Sequence, residues 1–129
     1  MAAVITLTTD FGGRDPYVAE MKAVILRLNP AVRFIDVSHE VAAHDVIEGA
    51  LAVQAMVGVC PEGTIHVAVV DPGVGTSRRG LVVAASGQLF VGPDNGIFTP
   101  VLSRSDWQAF ELGASEYRRP SVKIGRAHV

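Results

Sequence analysis

The sequence has very little cysteine and no long apolar run. Cys60 is the single cysteine in 129 residues, which excludes an internal disulfide, and its place at the end of an apolar stretch is typical of a small buried hydrophobe in a reducing cytoplasm. No stretch approaches the roughly 18 consecutive apolar residues that a helix needs to cross a bilayer. Met1 to Thr9 is apolar without a basic flank, so we expect a cytoplasmic protein with neither a secretion signal nor a membrane partner.

The sequence also lacks an excess of charge of one sign. It contains 11 Lys and Arg residues against 13 Asp and Glu residues, which gives a net charge of −2. Because the basic residues are scattered along the chain, they would form no stripe able to follow a phosphate backbone. We therefore expect no nucleic-acid partner.

The motifs that bind common cofactors are incomplete. Gly73-Val74-Gly75 lacks the third spaced glycine of a dinucleotide loop, and no Gly-Lys-Ser or Gly-Lys-Thr is present to form a phosphate loop. His39 and His44 are separated by five positions instead of four, which on a helix would point them about 140° apart. The sequence thus predicts no metal site and no cofactor.

The apolar residues that are present follow an alternating strand and helix pattern. The hydrophobic fraction of 49% with 19% charged residues fits one packed domain. The predicted strands of the first half are Val4–Thr9, Arg33–Ser38 and Thr64–Val70. The predicted helices run from Asp15-Pro16 to about Leu28 and from Asp45 to about Val59. Since nearly continuous apolar strands are typical of parallel sheets, we predict an α/β fold whose open, mainly parallel sheet has helices on both faces.

The sequence contains capping residues at the start of both predicted helices. Asp15 is expected to cap the first helix, with Pro16 in its first helical position because proline has no N–H group to leave unsatisfied. Asp45 and Glu48 form a pair resembling a capping box for the second helix.

The second half predicts a hairpin and two weaker elements. Leu81–Ala85 and Gln88–Val91 read as strands joined by a tight turn at Ser86-Gly87. A short helix is expected around Phe98–Leu102, and a weak strand at Gln108–Leu112.

Two aspartates stand at the carboxyl ends of predicted strands. Asp10 and Asp71 are each followed by glycines that allow close backbone approach to a ligand, and open α/β sheets bind ligands at such strand ends. The alternative is that each aspartate only caps its own loop. Arg78 and Arg79 lie close enough in sequence for an ion pair with Asp71, and His66 is expected to be a hydrogen-bonded core residue. The residues alone indicate an acidic crevice for a small polar or cationic ligand.

Five motifs occur together in an order that resembles a known family. They are Thr9-Asp10-Phe11-Gly12 with Asp15, Asp36-Val37-Ser38-His39-Glu40-Val41, Asp45-Val46-Ile47-Glu48-Gly49-Ala50, Asp71-Pro72-Gly73-Val74-Gly75-Thr76 through Arg78, and Pro93-Asp94-Asn95-Gly96. The set resembles the S-adenosyl-L-methionine hydroxide adenosyltransferases, which are related to fluorinase and chlorinase enzymes. The resemblance covers about Met1 to Val122 and implies the amino-terminal adenosyl-binding α/β domain of a homotrimer. The family's carboxy-terminal β-barrel domain is not in the sequence.

The resemblance implies a reaction and a set of site residues. Water or hydroxide would attack the 5′ carbon of the adenosyl group and release adenosine and methionine, so S-adenosyl-L-methionine is the substrate and not a cofactor. Asp71 and Arg78 match two members of the family's catalytic triad of Asp, Arg and His. Asp10 would accept hydrogen bonds from both ribose hydroxyls. The remaining substrate-binding positions that the resemblance implies are Asp15, Tyr17, His44 and Asn95, of which Asn95 is expected mainly to shape its loop.

One departure from the family leaves other functions open. The triad histidine should follow Val122, where residues 123–129 read Lys-Ile-Gly-Arg-Ala-His-Val and resemble the translation of a sequencing adapter, so we expect a non-native tail that could leave this chain inactive. The alternatives are a non-catalytic fragment that binds an adenosyl ligand, a halide-using adenosyltransferase and an unrelated α/β domain. Halogenating relatives carry an uncharged residue in place of Asp71, which favours hydrolysis because a carboxylate would repel an incoming halide.

Overall fold

A computed structural model describes residues 3–72, 79–104 and 106–113 of the chain. The strands are β1 (Val4–Thr9), β2 (Arg33–Ser38), β3 (Ile65–Val69), β4 (Gly80–Ala85), β5 (Gln88–Pro93) and β6 (Trp107–Glu111). The helices are α1 (Tyr17–Leu28), α2 (Val46–Val57) and α3 (Thr99–Leu102). Every predicted element is present, so the apolar patterning was sufficient to locate them.

The strands form one sheet in the order β2-β1-β3-β5-β4-β6. Strand β1 pairs in parallel with β2 and β3, and β3 pairs in parallel with β5. Strand β4 is antiparallel to both β5 and β6, so it alone among the described strands runs in the reverse direction. The predicted α/β fold with a mainly parallel sheet is confirmed.

The reversal of β4 follows from the tight turn between β4 and β5. Ser86 and Gly87 have φ angles of 54° and 72°, the two positive values that a two-residue hairpin turn of the favoured hand requires. Glycine adopts such an angle without a steric penalty, whereas Ser86 does so at some cost in strain. The predicted hairpin and its turn are therefore confirmed.

One face of the sheet carries the main core beneath α2 and α3. Its buried members are Val41, Ala50, Val53, Ala68, Val70, Val83, Ala85, Phe90, Ile97, Phe98 and Val101. Phe90 is fully buried at 0% exposure, and burial of a side chain of this size contributes about 1.5–3 kcal/mol. This core fixes α2 across the parallel strands.

Helix α1 lies on the opposite face. Lys22 Nζ of α1 is 5.6 Å from the centre of the Phe34 ring and 2.8 Å from Asp36 Oδ2. Phe34 and Asp36 pair in register with Ile5 and Leu7, which face away from the main core. The sheet thus has a helix on each face, as predicted.

Two glycines let other segments approach the carboxyl end of β3. A Cβ atom at Gly92 would lie 2.6 Å from the Ala68 carbonyl oxygen, and one at Gly49 would lie 3.0 Å from Val70 Cγ2. Real Cβ atoms do not approach backbone oxygen this closely, so Gly92 is required where β5 passes β3. The close packing brings α2 and β5 against the end of the strand that precedes Asp71.

The helix starts agree only in part with the sequence predictions. Pro16 occupies the position before the first helical residue of α1, and no side chain caps that end, so the predicted roles of Asp15 as cap and Pro16 as first helical residue are wrong. Proline's fixed φ angle suits both positions, which is why the pattern did not separate them. Asp45 does cap α2, accepting a hydrogen bond from the Glu48 N–H at 3.0 Å. Glu48 reaches back to the N–H of Ala42 at 3.2 Å, three residues before the expected partner.

The helices that the structure describes are short. Both α1 and α2 contain 12 residues, and none of the helices within the described ranges is long and apolar enough to cross a membrane.

Cys60 is half-buried, and burial raises the pKa of its thiol. The thiol is therefore protonated near neutral pH, but Cys60 is less deeply buried than the small core hydrophobe expected from the sequence.

Candidate functional site

The connections of the sheet place a crevice between β1 and β3. After β1 the chain passes through α1 to β2 on one side, and after β2 it passes through α2 to β3 on the other side of β1. Such a reversal of direction opens a gap above the carboxyl ends of the two central strands, where α/β proteins bind ligands. Thr9 and Val69 are paired at the end of this register, so Asp10 and Asp71 leave neighbouring strands at the same edge. The structure brings together the two aspartates singled out from the sequence.

Asp10 is held in place by the segment that leads into α2. Its Oδ2 accepts a hydrogen bond of 2.8 Å from the backbone N–H of His44. His44 has a φ angle of 62°, a left-handed conformation that residues other than glycine seldom adopt and that is often retained at functional sites. Each carboxylate oxygen has two lone pairs, so a carboxylate can accept hydrogen bonds from a ligand in addition to those from the protein.

Backbone hydrogen bonds fasten the loop that carries Asp10. The N–H of Gly12 donates to the carbonyl of His39 at 2.6 Å, and the N–H of Val41 donates to the carbonyl of Thr9 at 3.4 Å. Gly12 has a φ angle of 74°, which glycine adopts without strain. The loop after β1 and the segment after β2 therefore form one joined edge of the crevice.

Asp71 is buried at the other edge, with 6% of its surface exposed. The carbonyl of Val70, immediately before it, accepts a hydrogen bond of 2.9 Å from Asn95 Nδ2. The Oδ1 atom of Asn95 accepts a second bond of 3.2 Å from the N–H of Ile97. Asn95 thus joins the loop after β5 to the end of β3, the loop-shaping role expected for it, while a direct ligand contact stays a prediction.

The predicted partners of Asp71 fall partly outside the described residues. Arg78 lies in residues 73–78, which the structure does not describe. Arg79 is described, and its Nη2 atom donates to Asp94 Oδ2 at 3.2 Å. This surface ion pair joins the start of β4 to the loop after β5, and the pairing of Arg78 with Asp71 that the resemblance implies stays a prediction.

Asp15 and Tyr17 flank the start of α1, next to the Asp10 loop. The rings of Tyr17 and Phe11 meet edge to face with their centres 6.1 Å apart, a favoured aromatic geometry. Asp15 is exposed and Tyr17 is half-buried. The aromatic contact joins the loop after β1 to the start of α1, and a role of Asp15 or Tyr17 in binding a ligand stays a prediction.

A hydrogen-bonded histidine beside the site went unrecognised as a site residue in the sequence. His39 Nδ1 is 2.8 Å from Thr9 Oγ1 and its Nε2 is 2.7 Å from Asp36 Oδ1. The hydrogen bond from Lys22, followed by that from His39, holds the pKa of Asp36 below its usual value. Asp36 and His39 are three residues apart across the end of β2, a spacing that could have suggested their contact.

The described part of the chain offers no ligand cluster for a metal. No group of three or more His, Cys, Asp or Glu side chains capable of holding an ion occurs within it. His39 is engaged with Thr9 and Asp36, and the segment from it to His44 is not helical. The arrangement is instead two carboxylates at the ends of adjacent strands, Asp71 buried and Asp10 partly buried, which suits a polar ligand with a positive charge.

A protein-family model matches most of the chain. The model described as SAM hydroxide adenosyltransferase N-terminal domain matches residues 5–125. A protein of Salinispora tropica named (R)-S-adenosyl-L-methionine hydrolase is 39% identical in an alignment that covers 89% of this chain and 48% of the relative. A protein of the same name from Methanocaldococcus jannaschii is 42% identical, covering 95% of this chain and 49% of the relative. The chain spans about half the length of these curated relatives.

More distant and structural relatives agree with that match. A fluorinase of an Actinoplanes species is 26% identical, covering 98% of this chain and 54% of the relative. The crystal structure of an uncharacterized conserved protein from Thermotoga maritima superposes with a TM-score of 0.83 at 37% identity, covering 87% of this chain and 44% of that chain. The identity to the hydrolases is higher than the identity to the fluorinase.

Proposed function

Because the chain belongs to the family of SAM hydroxide adenosyltransferase N-terminal domains, we propose that its crevice binds the adenosyl group of S-adenosyl-L-methionine. We further propose that the full-length protein hydrolyses this substrate to adenosine and L-methionine. The observation that carries the proposal is the placement of Asp10 and Asp71 at the ends of the paired strands β1 and β3. The hydrolase names of relatives at 39% and 42% identity support the same reaction.

Asp10 is the proposed ribose ligand. A carboxylate accepts hydrogen bonds only, and two neighbouring ribose hydroxyls present two donors at a matching separation. The hydrogen bond from the His44 N–H to Asp10 Oδ2 fixes the carboxylate before the ligand arrives, which lowers the entropy lost on binding. Tyr17, Asp15 and His44 are proposed to border the ribose and the methionine end, and Asn95 to act through the loop it braces.

The reaction needs a positioned water and no acid. The water oxygen forms a bond to the 5′ carbon as the bond from that carbon to sulfur breaks, and the electron pair of the broken bond neutralises the sulfonium to give the thioether of methionine. The proton lost by the water passes to Asp71 or through it to solvent, and the leaving group requires none. Asp71 is proposed to orient the water, and Arg78 to hold Asp71 and stabilise the developing hydroxide.

Hydrolysis is favoured over halide transfer by the charge at Asp71. A buried carboxylate with 6% exposure repels a halide that must shed its own hydration, whereas it accepts a hydrogen bond from water. The greater identity to hydrolases than to the fluorinase, 39% against 26%, points the same way. We also propose that the full-length protein is a cytoplasmic homotrimer, as the family resemblance implies.

Product analysis tests the proposed reaction. A full-length protein that carries residues 1–122 of this chain is incubated with S-adenosyl-L-methionine in ¹⁸O-labelled water, with and without chloride. Because the relatives' name specifies the (R) form, the (R) and (S) sulfonium forms are supplied separately. We expect equal amounts of adenosine and methionine, with the label in the 5′ hydroxyl of adenosine. A 5′-chloro product, or no turnover of either form, would contradict the proposal.

A pair of matched variants tests the role of Asp71. Replacing it by asparagine keeps its shape and removes the charge, and we expect kcat to fall by roughly 100-fold, as for loss of a positioned general base. The control is Asp94→Asn, which removes an exposed carboxylate paired with Arg79 at 3.2 Å and should leave kcat within about twofold, since surface pairs contribute little. An equal decrease of kcat in the two variants would show that Asp71 has no specific role in the reaction.

A further inference from the structure

A line of hydrogen-bonded side chains runs from the surface to the loop that carries Asp10. Lys22 Nζ on α1 is 2.8 Å from Asp36 Oδ2, and Asp36 Oδ1 is 2.7 Å from His39 Nε2. His39 Nδ1 is in turn 2.8 Å from Thr9 Oγ1, and Thr9 Oγ1 accepts a bond of 3.2 Å from the N–H of Phe11. The line therefore begins in α1 and ends on the residue next to Asp10.

The chemistry of the four groups sets the direction of donation. A carboxylate has only acceptors, so His39 Nε2 carries the proton that Asp36 accepts. In the neutral ring Nδ1 is then an acceptor, and it takes the hydrogen bond of the Thr9 hydroxyl. This orientation turns a lone pair of Thr9 toward the N–H of Phe11. The His39 Nε2–H, the Thr9 hydroxyl and the Phe11 N–H then each have an acceptor in the line. Only the orientation in which the Thr9 hydroxyl points at His39 Nδ1 allows all three bonds.

His39 also holds the loop through its backbone. Its carbonyl accepts the 2.6 Å hydrogen bond from the N–H of Gly12. The N–H groups of Phe11 and Gly12 are thus both linked to His39, that of Phe11 through Thr9 and that of Gly12 directly. Thr9 is fully buried, so water cannot readily replace the histidine as the partner of its hydroxyl.

We propose that His39 is a positioning residue, which fixes the Asp10 loop through Thr9 so that the carboxylate is ready for a ribose before the ligand arrives. It acts through Thr9 and Phe11, and its ring is turned to Asp36. The consequence for binding rests on the proposed adenosyl function, whereas the effect on the loop does not. Pre-ordering of this kind strengthens binding by reducing the ordering cost at the site.

Two substitutions separate the two arms of His39. In His39→Asn the side-chain oxygen takes the place of Nδ1 and keeps the Thr9 arm, while the Asp36 arm is lost. In His39→Gln the terminal nitrogen takes the place of Nε2 and keeps the Asp36 arm, while Thr9 loses its partner. Thr9→Val has nearly the shape of threonine but no hydroxyl, so it removes the same link from the other side. The control Val83→Ala weakens the core at a residue that is 1% exposed and distant from the loop.

Amide hydrogen exchange of this chain tests the effect on the loop without any ligand. Relative to the central strand amide of Val67, we expect the Phe11 amide to exchange about tenfold faster in His39→Gln and in Thr9→Val, the result of losing one net hydrogen bond. In His39→Asn the Phe11 amide should exchange at a rate within about threefold of that in the parent chain. Val83→Ala should leave the ratio of the Phe11 rate to the Val67 rate unchanged. Equal acceleration in the Asn and Gln variants, or no acceleration in either, would overturn the proposal.

Ligand affinity in the full-length protein tests the consequence for the site. We expect Thr9→Val and His39→Gln each to weaken adenosine binding by about tenfold, and the double variant to be no weaker than either single variant because both cut one line. Losses that multiply in the double variant would show two separate effects and overturn the proposal. If the parent protein does not bind adenosine, the proposed function fails, while the exchange ratios still decide the role of His39.

Discussion

Strand β1 carries two threonine–histidine pairs on its opposite faces, and they differ in what the second nitrogen of the histidine contacts. Thr6 Oγ1 is 2.8 Å from His66 Nδ1 on the core face, and Thr9 Oγ1 is 2.8 Å from His39 Nδ1 at the end of the strand. In both pairs Nδ1 faces the threonine and Nε2 faces an oxygen. The same local chemistry is therefore used twice in one strand.

The surroundings give the two pairs different tasks. His66 is 1% exposed, stacks on Phe90 with ring centres 4.9 Å apart, and donates to Gln88 Oε1. Gln88 passes the link to the carbonyl of Val57 at the end of α2, so this pair joins the sheet to a helix inside the core. His39 meets the charged Asp36 and holds a loop at the crevice. The pair with the neutral amide partner thus joins elements inside the core, whereas the pair with the carboxylate partner holds the loop that carries Asp10.

The largest expected effect is on the stability of the core pair. His66→Ala leaves the Thr6 hydroxyl and the Gln88 amide without their buried partner and opens a cavity, so we expect the free energy of unfolding to fall by about 3 kcal/mol. His39→Ala, at the partly exposed pair, should lower it by only about 1 kcal/mol. Urea unfolding measures both. A larger loss for His39→Ala than for His66→Ala would reverse the comparison.

The next largest effect is on ligand binding at the other end of β1. Asp10→Ala removes the proposed ribose acceptor, and we expect adenosine to bind roughly 30-fold more weakly, the loss of charge-assisted hydrogen bonds. Calorimetric titration of the full-length protein measures this, with His66→Gln as the control that alters the core pair only. Unchanged adenosine affinity in Asp10→Ala would show that the ribose does not bind at this loop.

The smallest predicted effect is a dependence of stability on pH that belongs to the core pair. Burial lowers the pKa of His66, while the hydrogen bond to Gln88 opposes this. The folded state therefore stays neutral at this ring when the unfolded chain begins to bind a proton near pH 6.5, so stability is full above that pH and decreases below it. The decrease is at most about 1.4 kcal/mol per pH unit.

Urea midpoints between pH 7.5 and 5 check this prediction. The window lies above the range in which Asp36 titrates, because the pKa of that carboxyl is lowered. The variant His66→Gln should lose most of the dependence. An equal dependence in the variant and the parent chain would assign the effect to another group.

The helices and strands could be predicted from the sequence because the pattern of apolar residues that marks each one depends only on residues close together in the chain. Apolar β-branched runs located β1 and β3, and Ser86-Gly87 located the hairpin turn, since both signals depend on neighbouring residues. The cap of α1 was mispredicted because Asp15 and Pro16 suit more than one position at a helix start. A capping hydrogen bond depends on the angle at which the loop enters the helix, and here the contact of Phe11 with Tyr17 contributes to that angle.

The candidate site was predictable only where strand ends mark it. Asp10 and Asp71 were found because a residue that follows a parallel strand lies at the ligand-binding edge. The contact of His39 with Thr9 depends on β2 lying beside β1, which is long-range information that the residue spacing does not contain. The bond of Asn95 to the Val70 carbonyl likewise requires β5 to lie beside β3, although the loop-shaping role itself was expected.

The most direct test of the central claim is a crystal structure of the full-length protein with adenosine bound. We predict that the ligand lies between the carboxyl ends of β1 and β3, with both ribose hydroxyls within about 3 Å of the Asp10 carboxylate and the 5′ carbon facing Asp71. Adenosine bound elsewhere, or bound in this crevice with its ribose away from Asp10, would contradict the account.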